Sequence, residues 1–174
     1  MTKNEWKLRE EIIAMSQADN FEEAKKEWIL ERVYKGLGVC LCGHSPIRKL
    51  CVLRNTKNNE KTIVGSSCVQ KFIGIKTEHL FKSYELIVKN PEAYLDLLFI
   101  EYLFKHDVIN EWEYEFLKST FRKKFEWLSE KQKDKRLQIN RKIIAYMELQ
   151  EEKEDNYLAQ LTSGPGDLDP EWWK

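Results

Sequence analysis

Three thiols and one imidazole dominate the chemistry that this chain can offer. Cys40-Leu-Cys42-Gly-His44 places two sulfurs and a ring nitrogen on one short loop, and Gly65-Ser-Ser-Cys68 returns a third sulfur. Zn(II) takes four such ligands in a tetrahedron, sulfur at about 2.3 Å and imidazole nitrogen at about 2.0 Å. A Cys-x-Cys pair on a tight loop can present both thiolates to one ion, and Gly43 lets the backbone turn there without a Cβ clash. Cys68 falls in the first turn of a short helix, where free amides and the helix dipole favour the thiolate. The expected ligand set is Cys40, Cys42, His44 and Cys68, around one structural Zn(II). Cys51 is the rival fourth ligand, although a mid-strand cysteine ordinarily packs as a small hydrophobe. Four protein ligands close the site and make the ion part of the folding energy. Three would leave room for an activated water. An iron–sulfur cluster would engage all four cysteines and leave His44 idle. Buried, reduced cysteines without metal are the plain alternative. His79 and His106 lie outside the cluster and read as helix-surface or partly buried histidines.

Placing these ligands requires a turn, a hairpin and a helix start. Ile47–Arg54 and Lys61–Val64 read as two strands joined around the polar stretch Thr56–Asn59. Ser67 with Gln70 three residues on resembles a capping box that opens the helix of Cys68. Helical spacing precedes this module: Trp6, Leu8, Ile12, Ile13 and Met15 between Asn4 and Gln17, then Phe21, Ala24, Trp28, Leu30 and Val33. The second set predicts a helix capped by Asn20, running to Lys35 and ended by Gly36. After the module, Thr77 predicts a helix through Lys89 and Asn90-Pro91 a helix through Lys105. Asn110 starts one through Lys124, and Ser129 with Gln132 opens a long one toward Glu151. Aromatics such as Tyr94, Phe104, Trp112, Phe116 and Phe121 recur at three and four and read as core. From Glu152, Ser163-Gly-Pro-Gly and Asp169-Pro predict an irregular acidic tail.

The expected fold is mainly α (α+β): a helical protein with an inserted zinc-bound β-hairpin in a treble-clef-like knuckle. A single domain spans 1–151, divided into a helical pair (1–36), the zinc module (37–76) and a helical bundle (77–151). The tail is 152–174.

Charge is balanced overall, 29 Lys+Arg against 29 Asp+Glu, but unevenly placed. Residues 37–76 carry seven basic side chains against Glu60 alone, and residues 118–142 carry ten against three acids. Residues 143–174 hold eight acids against Lys153 and Lys174. Such segregation suits a polyanion or a charged protein surface, although solvated helix faces produce the same pattern. No apolar run approaches the roughly 20 residues of a membrane span. The start of the chain lacks a basic region followed by an apolar core, so the expected location is cytoplasmic, the host cytoplasm for a phage protein.

The motif Cys40-x-Cys-Gly-His44, a strand ending at Asn55 and Val64-Gly-Ser-Ser-Cys-Val-Gln-Lys-Phe72 resembles a zinc knuckle common in small phage and prophage proteins. The likeness covers residues 39–73 and implies Cys40, Cys42 and Cys68 as ligands with His44 as the fourth. In overall character the chain is similar to zinc-containing anti-CRISPR inhibitors of type II systems. That resemblance implies a host–virus role in which the protein binds a type II CRISPR effector nuclease and blocks DNA loading or cleavage.

No metalloprotease His-Glu-x-x-His, phosphate-binding loop, nucleophile elbow, dinucleotide fingerprint or deaminase signature occurs. The expected class is therefore a non-enzymatic, protein-binding inhibitor. The alternative is a nucleic-acid-binding zinc module that uses Arg48, Lys49, Arg54, Lys57 and Lys61 on the hairpin, and a metal-dependent hydrolase stands third. Against the nucleic-acid reading, that zone has no aromatic stripe on which bases could stack. Trp172-Trp173, beside acids in the tail, reads as a docking motif, as a segment folded back on 118–142, or as a solubilising end.

Overall fold

The computed structural model describes residues 1–162, with side chains through residue 153. Residues 163–174, including Trp172-Trp173, lie outside the described residues. Helix α1 (Lys3–Ala14) begins at a capping box in which Thr2 accepts from the Glu5 amide and Glu5 accepts from the Thr2 amide. A single turn, α2 (Phe21–Ala24), is capped by Asn20 and passes through a 3-10 turn into strand β1 (Trp28–Gly38).

The helix expected from residue 20 to Lys35 is therefore mostly strand. Its buried residues Trp28, Leu30 and Val33 are spaced by two and then three because the register slips between Leu30 and Arg32. An extra residue in a strand shifts the inward positions by one, so the alternation imitates a helical stripe. Trp28, Ile29, Val33 and Tyr34 are, by type, strand formers.

Strand β2 (Ile47–Asn55) is the middle of a three-stranded antiparallel sheet, β1-β2-β3, with β3 at Lys61–Gly65. Its residues Leu50, Cys51, Val52 and Leu53 are all buried, as expected of a central strand covered on both faces. The hairpin thus falls where the sequence places it, with β1 added alongside. Each outer edge carries a bond from outside the sheet. The Val33 amide on β1 donates to the Tyr102 hydroxyl at 3.1 Å, and the Ile63 carbonyl on β3 accepts from the Leu41 amide at 3.0 Å.

Helix α3 (Ser66–Ile73) follows β3 directly, with Gly65 as N-cap and no side-chain capping bond; the Ser67–Gln70 box does not form. Helices α4 (Glu78–Lys89), α5 (Leu97–Lys105), α6 (Glu111–Ser119) and α7 (Glu130–Thr162) complete the chain. This is the mainly helical fold with an inserted hairpin that the periodicity implies. One apolar core runs through it, from Leu8 and Ile12 on α1, through the sheet, to Ile139, Ile143 and Met147 on α7.

Two helix boundaries differ from expectation where buried polar side chains of α7 meet loop carbonyls. Asn140 donates through Nδ2 to the carbonyls of Pro91 and Ala93 at 2.7 and 2.9 Å. These bonds hold residues 91–93 as a turn against α7. The helix begins instead at Leu97, where Asp96 accepts from the Leu98 amide at 2.9 Å. Arg136 likewise takes the Thr120 and Lys123 carbonyls at 2.8 and 3.0 Å, and α6 stops at Ser119 rather than Lys124. Helix α7 opens at Ser129 with the expected reciprocal bonds to Gln132. It runs past Glu152 to Thr162, so the first part of the expected tail is helical; Glu151, Glu152 and Lys153 favour helix, and the first strong breakers are Gly164 and Pro165.

One carboxylate fastens the N-terminal helices to the sheet. Glu27 is buried and accepts from the Gln17 and Ala18 amides, each at 3.0 Å, and from Asn55 Nδ2 at 2.8 Å. The Gln17 amide, then Asn55, hold its pKa below the ordinary carboxylate value against the opposing effect of burial. A carboxyl group with a depressed folded-state pKa stabilises the fold above its unfolded value, and that contribution fades as pH falls through the folded value. Glu27→Gln is expected to be less stable than the parent at pH 7 and to lose less on acidification from pH 5 to pH 3. Urea midpoints measured across that range check this, and parallel curves for the two proteins would contradict it.

Candidate metal centre

The knuckle hangs between β1 and β2. Gly43 adopts φ of +87°, and its amide donates to the Cys40 carbonyl at 2.7 Å; the Cys40 amide donates back to the His44 carbonyl at 3.0 Å. A side chain at Gly43 would be strained in that left-handed conformation, so the glycine at this position serves the turn directly. The Leu41–Ile63 bond then lays the knuckle along β3, whose end leads straight into α3 and Cys68.

Cys40, Cys42 and Cys68 meet there, their sulfurs all within 4.8 Å of one another. The Cys42 and Cys68 sulfurs are 3.7 Å apart. In a tetrahedron with metal–sulfur bonds of 2.3 Å, the ligand–ligand edge is about 3.8 Å. A disulfide would need about 2.05 Å, and all the cysteines are free. The three side chains can hold a metal ion.

Ionisation of the trio is linked. The Cys68 thiol and the Gly65 amide, which stands 3.2 Å from the Cys40 sulfur, both donate to Cys40 and bring its pKa down to about 5 despite burial. The same interaction makes Cys68 hold its proton, and its pKa is pushed well up. One anionic sulfur therefore suppresses ionisation of its neighbour, a conflict that a divalent cation removes by taking all the thiolates at once.

His44 is exposed on the same knuckle and lines the same cavity of about 550 Å³ as the three cysteines, outside the 4.8 Å grouping of sulfurs. Cys51 is elsewhere. Buried in β2, it donates to the Thr77 hydroxyl at 3.7 Å, and burial pushes its pKa up to about 12. With Cys51 apart from the trio, no group of four cysteines forms among the described residues. His79 lies 3.7 Å from Asp96, and Nδ1 of His106 is 2.8 Å from the Tyr102 carbonyl.

The basic hairpin residues do not converge on one patch. Arg48 and Lys49 flank the thiol cavity, and Lys49 pairs with Glu78 at 2.7 Å. Arg54 and Lys61 share Glu31 at 4.0 and 2.8 Å. Lys57 is exposed in the turn. The Gly65 amide is the site contributor that reading by residue type misses, because a backbone donor carries no side-chain signature. Its position before a helix-opening Ser-Ser-Cys is the available signal.

Among the described residues, no helix is long and apolar enough to cross a membrane. No known protein family, curated protein or solved structure matches the chain.

Cobalt(II) is expected to give thiolate charge-transfer absorption with the parent protein and with Cys51→Ala. The band should weaken or vanish in Cys40→Ser, Cys42→Ser and Cys68→Ser. An unchanged spectrum in any of those three, or its loss in Cys51→Ala, would contradict this ligand assignment.

Proposed function

We propose that this protein is a non-enzymatic binding protein whose knuckle, hairpin and third helix are clamped by one structural Zn(II) held by Cys40, Cys42, Cys68 and His44. The observation carrying this reading is the 3.7 Å separation of sulfurs contributed by the knuckle and by α3. Three thiols suit a borderline-soft cation, and an imidazole on the same loop completes a closed tetrahedron without a position for an activated water. Zinc contributes folding energy directly in such sites, and here it would tie together segments separated by a whole hairpin.

The binding partner follows from the resemblance: a type II CRISPR effector nuclease, blocked in DNA loading or cleavage. Internal pairing of Lys49, Arg54 and Lys61 with Glu78 and Glu31 favours a protein partner over phosphates at the hairpin. A cation already paired within the chain releases fewer counter-ions from a polyanion.

Elemental analysis of untagged protein is expected to find one zinc per chain. Its removal by a chelator should abolish cooperative melting, and zinc addition should restore it. Metal-free protein with an unchanged melting temperature would reject the clamp. The partner is tested separately, by adding protein to a guide-loaded type II effector and measuring DNA cleavage. Undiminished cleavage would reject the effector as partner and leave the clamp standing.

A further inference from the structure

The second basic zone has what the hairpin lacks. In the loop between α6 and α7, Phe121-Arg-Lys-Lys-Phe-Glu-Trp127 interleaves cations with aromatic rings. Beneath it lies Arg136, only 1% exposed. Its guanidinium donates to the Thr120 and Lys123 carbonyls and, at 3.4 Å, to that of Glu92, yet it meets no carboxylate and its Nε has no partner. A buried cation satisfied only by carbonyls keeps its full charge uncompensated. It lines a cavity of about 530 Å³ together with Tyr94, Lys123, Lys124, Phe125 and Trp127. Glu92 and Glu126 are the acids that also face it.

The lining of this cavity is positive and aromatic together, and further cations lie along α6 and α7. Lys118, Lys133 and Lys142 are paired with Glu115, Glu130 and Glu113. Among the described residues, Arg122, Lys123, Lys124, Lys131, Lys135 and Arg141 have no carboxylate within salt-bridge reach. Trp127 is 71% exposed with the Lys124 ammonium 5.2 Å from its ring centre, and Trp112 is 56% exposed with Lys135 at 5.2 Å. An exposed indole beside an unpaired cation offers a flat apolar face and a positive charge at one place. Stacked bases use the rings and phosphates use the cations.

We infer that the α6–α7 loop and the start of α7 form a binding site for single-stranded nucleic acid, with a base on Trp127 and adjoining phosphates on Lys123 and Lys124 above the buried Arg136. A duplex keeps its bases stacked on one another and offers no free ring face to Trp127, so the site selects single strands. An acidic peptide would answer the charge and leave the indole faces unused. This site is independent of the zinc clamp and of the hairpin.

The test uses the full chain and a fluorescent oligothymidylate of about twelve nucleotides at about 50 mM salt. Binding is expected, weakening as salt rises, with duplex DNA of equal length binding less tightly. Trp127→Ala should reduce affinity about tenfold and Trp127→Phe should retain most of it. The pair Lys123→Ala and Lys124→Ala should lower the slope of log affinity against log salt by about 1.4. Arg48→Ala with Lys57→Ala on the hairpin should leave affinity and slope unchanged. These exposed positions can be altered without touching the core, and the melting temperature of each variant checks that. Absence of salt-dependent binding, full affinity in Trp127→Ala, loss in the hairpin variant, or equal competition by an oligoglutamate would each overturn the assignment.

Discussion

Two sulfurs on a turn and a third on a helix, brought within 4.8 Å across a hairpin, impose the strictest requirement in this chain. Thiols in such contact cannot all ionise unaided, since each anion raises the cost of the next. Their approach depends on the left-handed Gly43, on the Leu41–Ile63 bond that lays the knuckle along β3, and on a helix that starts without an intervening loop after Gly65. The Gly65 amide meets the Cys40 sulfur because strand, cap and helix follow one another directly. Backbone geometry thus makes the electrostatic conflict, and a divalent cation is the group whose chemistry resolves it.

Away from the sulfurs, buried polar side chains fix loops by capturing carbonyls. Glu27 gathers two amides and the Asn55 side chain, joining the α1–α2 connection to the end of β2. Arg136 and Asn140, on successive turns of α7, hold the ends of α6 and the approach to α5. A buried donor aimed at loop carbonyls is strongly position-specific, because leaving either partner unsatisfied costs about 1–3 kcal/mol. These contacts decide where helices stop, a matter on which local propensity is weak.

How much of this was legible in the sequence follows from the range of each interaction. The caps at Asn20, Asn110 and Ser129 were readable because donor and acceptor lie within one turn, whereas the expected caps at Ser67 and Thr77, equally local, make no side-chain capping bond. The hairpin was readable from its β-branched runs and polar turn, and the grouping of Cys40, Cys42 and Cys68 from residue type and spacing. Strand β1 was hidden by the slip after Leu30, which gave an extended segment a helical rhythm. The start of α5 and the end of α6 were hidden because Asn140 and Arg136 meet them from 49 and 16 residues away. Composition marked the 118–142 run as basic, but only the folded chain shows which of its lysines are already paired and that Trp127 stands uncovered beside the rest.

The bonds on the two edges of the small sheet have a consequence for the protein when no metal holds its thiols. Tyr102 covers β1 from within the helical body, a contact independent of the thiols. The cover on β3 is the knuckle itself, held by Leu41 between Cys40 and Cys42. With the sulfurs held by a metal, their release would loosen that flap and present unpaired backbone groups of β3 to other chains, the situation that promotes edge-to-edge association. Coordination would then guard solubility as well as shape, by keeping one strand from finding a stranger.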